Sequence, residues 1–401
     1  MKVLFTFGGL PHYYNFVLNR LNKIKDVEII VAVPAGRSGN VGEGVHQTTK
    51  GVEFRFFLMQ EYKPFYGKTF FKGFEELLDS EKPDLVVTVW PYILGFYFNQ
   101  SLRAKMKRGG IKLIYKDIPF RIPKFEDGLK YGYGYFPDEN LTVKRPTITR
   151  FLNKAFLTLL RKQYYKIVDA HVNYVEEAAE ILGSYGVEKE KIFVTYNSPD
   201  TDMLLEAKKK AEELEPILPL NPHRIIHIGR LVRWKKVHLL LKAVAMLKKD
   251  LPDIELAVVG GGPEEESLKA LAAELNISEN VIFIGAVYDQ VELARYKLSA
   301  SVYVLAGMGG LSINEAMTMN MPVICSVCDG TEKNLVQDDY NGKFFEEDSA
   351  EDLADKIEYI ISDQKRIKEM GENSGRIIKE KININTVIDR YMQAFNYVLG
   401  K

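Results

Sequence analysis

The chain has 401 residues, 46% of them hydrophobic and 27% charged, and its formal net charge is zero. This is the balance of a folded globular protein; it excludes a disordered tail, a collagen-like repeat and, with two cysteines, a disulfide framework. At roughly 100–200 residues per domain, the length predicts two or three domains. The neutral total hides an asymmetry. Residues 1–200 hold 29 Lys and Arg against 22 Asp and Glu, and 16 basic against 5 acidic side chains fall between 101 and 166. No global field points to nucleic acid, while the first half is the part expected to meet something anionic.

Met1 leads at once into the strand-like Val3–Phe7, without the apolar core and cleavage site of a secretory signal. No run approaches the ~20 apolar residues of a membrane span, and the expected compartment is the cytosol. Further short runs at Val27–Val33, Val52–Phe57, Leu85–Val89, Lys112–Tyr115, Ala170–Asn173 and Ile192–Thr195 predict strands. Tyr13–Leu21, Phe70–Leu78 and Ile148–Val168 predict helices between them. Such alternation implies a parallel sheet with helices on both faces. Charged Ala207–Glu215 followed by Pro216, Pro219 and Pro222 marks a boundary. The expected division is therefore a first domain 1–203, a linker 204–222 and a second domain 223–383.

In the second domain, strands are predicted at Arg224–Ile228, Ile254–Val259, Val281–Ile284, Val302–Leu305, Pro322–Cys325 and Lys343–Phe345. Helices are predicted at Val237–Lys248, Glu264–Leu275, Gln290–Leu298, Ser312–Met319 and Glu351–Ile361. Thr386–Leu399 reads as an amphipathic helix, and the segment 384–401 is expected to pack back on the first domain. The predicted class is α/β, with two doubly wound Rossmann-like domains facing a central cleft. Open sheets of this kind take ligands at their strand C-termini.

Several motifs fail. Gly67-Lys68-Thr69 has the ending of a phosphate-binding loop, but Tyr62 stands where its first glycine belongs. Gly260-Gly261-Gly262 follows a strand, but Glu265 occupies the third glycine of a dinucleotide fingerprint. Cys325 and Cys328 have redox-motif spacing, yet two cysteines without a nearby histidine cannot close a zinc site. Buried, inert thiols are the simpler reading. The six histidines show no metal-ligand spacing, so no metal is expected.

Three strand-to-helix turns of the second domain hold together better. Strand Ile225–Ile228 runs into Gly229-Arg230-Leu231, with Lys235 five residues past Arg230. Two cations at one turn can grip a diphosphate, where glycine admits a close backbone approach; taken alone, such a pair is better read as a solvated basic turn. Gly260–Pro263 closes a second strand. Gly307-Met308-Gly309-Gly310-Leu311 closes a third and opens a helix, whose N-terminal amides favour a phosphate. Glu315, one turn in, is placed to accept two hydrogen bonds from a ribose.

Residues 224–360 resemble, in order and spacing, the donor domain of retaining glycosyltransferases of the GT-B fold, glycosyltransferase family 4. The matching residues are Gly229-Arg230-Leu231-Val232 through Lys235, Val258–Pro263, Ile282–Gly285, Glu315-Ala316-Met317, Met321–Ile324, Asp329-Gly330 and Asn341-Gly342. The first half matches loosely, through Gly8-Gly9, Lys82-Pro83-Asp84, Asp169 and Asn197–Asp200. The resemblance implies that Arg230 and Lys235 neutralise the diphosphate of a nucleotide-sugar and that Glu315 holds its ribose. It implies that Gly309, Gly310 and Leu311 bring amides to the phosphates or the sugar. Gly261, Gly262 and the Ala286–Val287 turn would border the base, and Gly8 and Gly9 would lie on the acceptor side.

There are departures from the family pattern. Gly307 stands where the family often has the first glutamate of a Glu-x7-Glu pair, which leaves the donor sugar open. Asp117 stands near the family's frequent active-site histidine and is read as its catalytic replacement. Lys236 takes the place of a preferred glycine. The stretch Lys116 to Arg145 is long and basic and contains Tyr131–Phe136, whose rings suit a sugar face or a surface loop. Ile148–Val168 sets Arg150, Lys154, Arg161, Lys162 and Lys166 beside Leu152, Phe156, Leu157 and Leu159. It reads as an interfacial helix on an anionic membrane or as a packed amphipathic helix with a wet basic face.

The resulting expectation is a metal-independent, retaining hexosyl-type glycosyltransferase that needs no cofactor. It would move a sugar from a nucleotide-diphosphate sugar to a glycan or lipid-linked acceptor in bacterial cell-surface polysaccharide or glycolipid assembly. Its place would be the cytoplasm or the inner face of the cell membrane. A GT-B sugar-nucleotide epimerase and a non-catalytic two-lobed sugar-binding protein are the alternatives.

Overall fold

The computed structural model describes residues 1–36, 47–117, 122–132, 147–328 and 330–401. Asp329 and most of the 116–145 stretch lie outside the described residues, as do Tyr133 to Phe136 of the tyrosine-rich run. Two compact units emerge. One takes the described residues up to 196 together with 385–401, and the other takes 197–384.

The first unit runs β1 (Lys2–Thr6), α1 (His12–Asn22), β2 (Glu28–Pro34), β3 (Arg55–Met59), β4 (Glu61–Tyr62), β5 (Phe70–Phe71), α2 (Phe74–Glu81) and β6 (Leu85–Thr88). It continues with α3 (Ile93–Phe98), α4 (Gln100–Arg108), β7 (Lys112–Lys116), α5 (Phe125–Gly128), α6 (Ile148–Tyr164), β8 (Ala170–Asn173), α7 (Ala178–Ser184) and β9 (Ile192–Val194). Among the described residues its main sheet has the order β3-β2-β1-β6-β7-β8-β9, and its strands pair in parallel throughout. A parallel sheet is covered on both faces, so its central strands must be apolar throughout. Val3, Leu4, Phe5 and Leu85–Val87 are fully buried accordingly.

The second unit runs α8 (Thr201–Glu212), β10 (Arg224–Ile228), α9 (Val237–Leu247), β11 (Glu255–Val259), α10 (Glu265–Glu274), β12 (Val281–Gly285), α11 (Gln290–Leu298) and β13 (Val302–Leu305). Then follow α12 (Ser312–Thr318), β14 (Val323–Cys325), α13 (Glu332–Leu335), β15 (Gly342–Phe344), α14 (Ala350–Ile361) and α15 (Gln364–Glu380). Its parallel sheet has the order β12-β11-β10-β13-β14-β15. Leu240, Leu241 and Val244 of α9 and Leu353 and Ile357 of α14 pack with Ile225, Val258 and Val304 in one core. Each such side chain, fully buried, contributes about 1.5–3 kcal/mol.

Helix α16 (Ile384–Leu399) lies almost wholly within the first unit. Its Tyr391 and Phe395 rings meet Phe5 of β1 with centroids at 6.3 and 6.4 Å, and the hydroxyls of Tyr14 and Tyr391 hydrogen-bond.

Three expectations are corrected. The 204–222 segment is not all linker: α8 is part of the second unit and packs on α11 and α12 through buried Leu204, Ala207 and Ala211. The helix expected from Phe70 begins only at Phe74. Phe70 and Phe71 pair as β5 with β4, and their rings bury against Phe96 (5.5 Å) and Tyr92 (4.5 Å). Gly73, in the left-handed region at φ 77°, makes the turn between the two.

The third correction concerns α6. Ile148, Leu152, Phe156 and Leu159 are exposed and lie along one helical face. Arg161 turns inward over Tyr185 (5.9 Å), and Lys162 lies over Phe125 (4.0 Å). The wet face is therefore apolar, and part of the basic set is spent on packing.

Candidate active site

The second sheet reverses its order between β10 and β13. The crevice outside the strand C-termini at such a reversal is where open α/β sheets take ligands. Three loops leave the strands there. Those after β10 and β11 lie backbone against backbone: the Leu231 amide donates to Gly261 O and the Glu264 amide to Leu231 O, each at 3.0 Å. A Cβ on Gly262 would fall 2.3 Å from Leu231 O, and one on Gly260 would fall 1.9 Å from Gly229 O. These two glycines serve the contact between loops. Gly261 is different, since a Cβ there would meet only Ala286 Cβ at 3.8 Å and Glu265 Oε2 at 3.9 Å. Of the pair expected to border a base, Gly261 keeps an open edge and Gly262 is taken up by packing. Val287 is half-buried beside exposed Tyr288.

A short 3-10 turn, Arg233–Lys235, brings the third loop into contact with the first. The buried Lys235 donates from Nζ to the carbonyls of Met308 (2.9 Å) and Gly309 (3.1 Å). That ammonium stands 3.7 Å from the position of a Cβ on Gly310. The Met308 amide donates to Trp234 O at 3.0 Å. A Cβ on Gly307 would lie 2.0 Å from the same oxygen. The main chain of Trp234 and Lys235 thus fills the place from which a side chain at 307 would start. Arg230 is exposed, with its guanidinium 5.7 Å from the Trp234 ring centroid. The two predicted cations share one turn but differ in setting: Lys235 ties the glycine loop, and Arg230 faces outward.

Two residues at this crevice were not anticipated. His227 on β10 is fully buried, and its Nδ1 donates to Val304 O at 3.0 Å. Its Nε2 has no partner among the described residues and lies 3.4 Å from the position of a Cβ on Gly229. Burial, and secondarily the Lys235 charge, pushes the imidazole down to about 4, so it is neutral. Lys297 on α11 is 1% exposed, and its Nζ donates to Glu315 Oε2 at 2.9 Å; Glu315, on α12, is 23% exposed. The signal for Lys297 was there in the sequence: it continues the buried Leu293–Ala294 face of α11 at helical spacing.

In the first unit, Gly8 and Gly9 are buried just past β1. Asp117, buried past β7, accepts from the Tyr165 hydroxyl at 2.8 Å and feels the Arg161 charge. The preceding Lys116 points elsewhere, lying 5.3 Å from the Tyr14 ring and 5.1 Å from that of Tyr174. Burial pushes its ammonium down to about 8. Other residues of the loose first-half match pin strands and helices. Asp84 accepts from the Lys2 amide, Asp169 from the Leu113 amide, and Asp200 caps α8 by accepting from the Met203 amide.

Cys325 is buried, and the half-buried Cys328 thiol is pushed up to about 11 by desolvation. Neither is a nucleophile at neutral pH. Among the described residues, no group of three His, Cys, Asp or Glu side chains could hold a metal ion. No described helix is long and apolar enough to cross a membrane.

Residues 209–376 match the family model described as glycosyl transferases group 1. The Anabaena protein HepE, solved in complex with UDP, superposes with a TM-score of 0.65 at 17% identity, covering 99% of this chain and 100% of that one. The fold is therefore the GT-B fold expected from the sequence, and the matched segment lies almost wholly in its second unit. An uncharacterized glycosyltransferase of Methanocaldococcus jannaschii is 29% identical over 316 residues, which are 77% of this chain and 72% of the relative. The poly(ribitol-phosphate) α-N-acetylglucosaminyltransferase of Staphylococcus aureus is 26% identical over 171 residues. That match spans 42% of this chain and only 34% of the relative.

Proposed function

We propose that the chain transfers a sugar from a nucleoside-diphosphate sugar to an acceptor hydroxyl, with retention at the anomeric carbon and without a metal. The observation that carries this reading is the Lys235 ammonium seated among the Met308 and Gly309 carbonyls beside Gly310, at the order reversal of the sheet. In the reaction the bond from sugar C1 to the diphosphate oxygen breaks, and the diphosphate takes the electron pair. The acceptor oxygen then bonds C1 on the face the diphosphate left. Lys235, Arg230 and the amides of Gly309–Leu311 are suited to stabilise the charge that develops, and preorganised charge of this kind is often the largest catalytic term. Asp117 is the candidate to take the acceptor proton. HepE in complex with UDP and with UDP-glucose supports the nucleotide class.

The acceptor we propose is a cell-surface glycan or a lipid-linked precursor, met by the first unit at the inner face of a membrane. The S. aureus relative, by its name, acts on poly(ribitol-phosphate), a polymeric acceptor. The exposed row Ile148, Leu152, Phe156 and Leu159 supports a shallow apolar contact with lipid.

The test of the reaction is incubation with UDP-, GDP- and ADP-sugars, with and without chelator, measuring diphosphate release and the product anomer. Transfer with inversion, or release abolished by chelator, overturns the mechanism; a free isomerised nucleotide-sugar would mean an epimerase. For the membrane contact, co-sedimentation with vesicles should persist at high salt and fall when Ile148, Leu152 and Phe156 are changed to serine. Binding that is absent from wild type, or unchanged in the triple variant, counts against it.

A further inference from the structure

We infer that Lys297 is a positioning residue for nucleotide recognition: it fixes the Glu315 carboxylate so that the carboxylate reads ribose hydroxyls. The inference rests on the donor-site reading above and names a part of it that no resemblance supplied.

Lys297 belongs to α11 and Glu315 to α12, so two separate helices meet in this pair. The ammonium is 1% exposed, and the carboxylate, at 23%, keeps an accessible edge. Buried cations are retained where they are paired, and among the described residues Lys297 forms its ion pair with Glu315 Oε2 at 2.9 Å. With Oε2 taken from behind, Oε1 is the oxygen left to accept from a ligand. An unheld glutamate would spread over several rotamers and pay entropy on binding; one tied through Oε2 has paid it on folding. The pair also sets the charge. A lone carboxylate close to a diphosphate repels it, whereas a Lys-paired carboxylate next to the Lys235 loop does so far less.

The design separates a positioning role from a merely structural one. Glu315→Gln would leave a buried, unpaired ammonium and confuse folding with binding. Lys297→Met removes the charge at similar volume and leaves a carboxylate that already touches water, so the unit should fold. The probe is whichever of UDP, GDP and ADP wild type binds best, compared by calorimetry with its 2′-deoxy and 3′-deoxy forms. Wild type should bind at least one deoxy form about 10-fold or more weaker, as expected for a hydrogen bond to a charged group. In Lys297→Met the ribo-to-deoxy ratio should fall towards one, while binding of inorganic pyrophosphate, which has no ribose, should stay within about 3-fold. The Glu315→Gln/Lys297→Met pair of changes should lower the ratio no further than Lys297→Met alone. A wild-type ratio retained in Lys297→Met overturns the positioning role and leaves the donor site standing. A ratio of one already in wild type overturns the ribose reading of Glu315 and this inference with it.

Discussion

Gly307 lies so close to the carbonyl of Trp234 that a Cβ on it would sit 2.0 Å from that oxygen. Atoms at that distance cannot coexist, and the contacting group is main chain, held by the hydrogen bond from the Met308 amide. The main chain of the turn carrying Lys235 thus occupies the space that any side chain at 307 would need. Gly307→Ala should cost about 1–3 kcal/mol through overpacking and lower kcat/KM by shifting the Met308–Gly310 loop. Gly307→Glu should do both more severely and should not add sugar recognition. Thermal unfolding and donor turnover check this together, and an active, wild-type-stable Gly307→Glu would contradict it.

Arg230 and Lys235 share a proposed role but differ in setting. Alanine at either should lower kcat/KM by about one to three orders of magnitude, as losing an electrostatic stabiliser does. Only Lys235→Ala should also lower the melting temperature, because only Lys235 ties down the Met308 and Gly309 carbonyls. Near-normal turnover in both variants would remove the proposed diphosphate site.

Asp117→Asn keeps an oxygen for the Tyr165 hydroxyl and removes the charge beside Arg161. Nucleoside diphosphate binding should be unchanged, since that site is built in the other unit. Sugar transfer should fall by about 10²–10⁴-fold, the usual contribution of a general base. Transfer at the wild-type rate would leave Asp117 as a packing residue of the Tyr165–Arg161 cluster.

Acid should destabilise both units. Burial pushes His171 down to about 3 and His227 to about 4, against a reference of 6.5. Between those values the unfolded chain binds protons that the folded chain does not, so stability is full above about pH 6.5 and falls as pH drops towards 4. The slope is up to about 1.4 kcal/mol per pH unit for each histidine. His227→Asn retains a donor for Val304 O and should flatten the slope. Urea denaturation at several pH values measures it, and a slope unaltered by that change would refute the assignment.

The sheets were legible in the chain because strands buried on both faces must be short, apolar and rich in β-branched residues, as Ile29–Val31 and Leu85–Val87 are. The candidate loops were legible too, since a glycine-rich turn between a strand and a helix is written locally. What those glycines face was decided only in three dimensions. Gly262 lies under the Leu231 backbone and Gly307 beneath Trp234 O, contacts made by loops distant in sequence, whereas Gly261 keeps an open edge. The inward turn of Arg161 and Lys162, the strand at Phe70–Phe71 and the seat of Lys297 behind Glu315 have the same origin. Local pattern states how often a segment must be buried. Which partner buries it, and whether a charge meets water or an opposite charge, is a property of the packed chain.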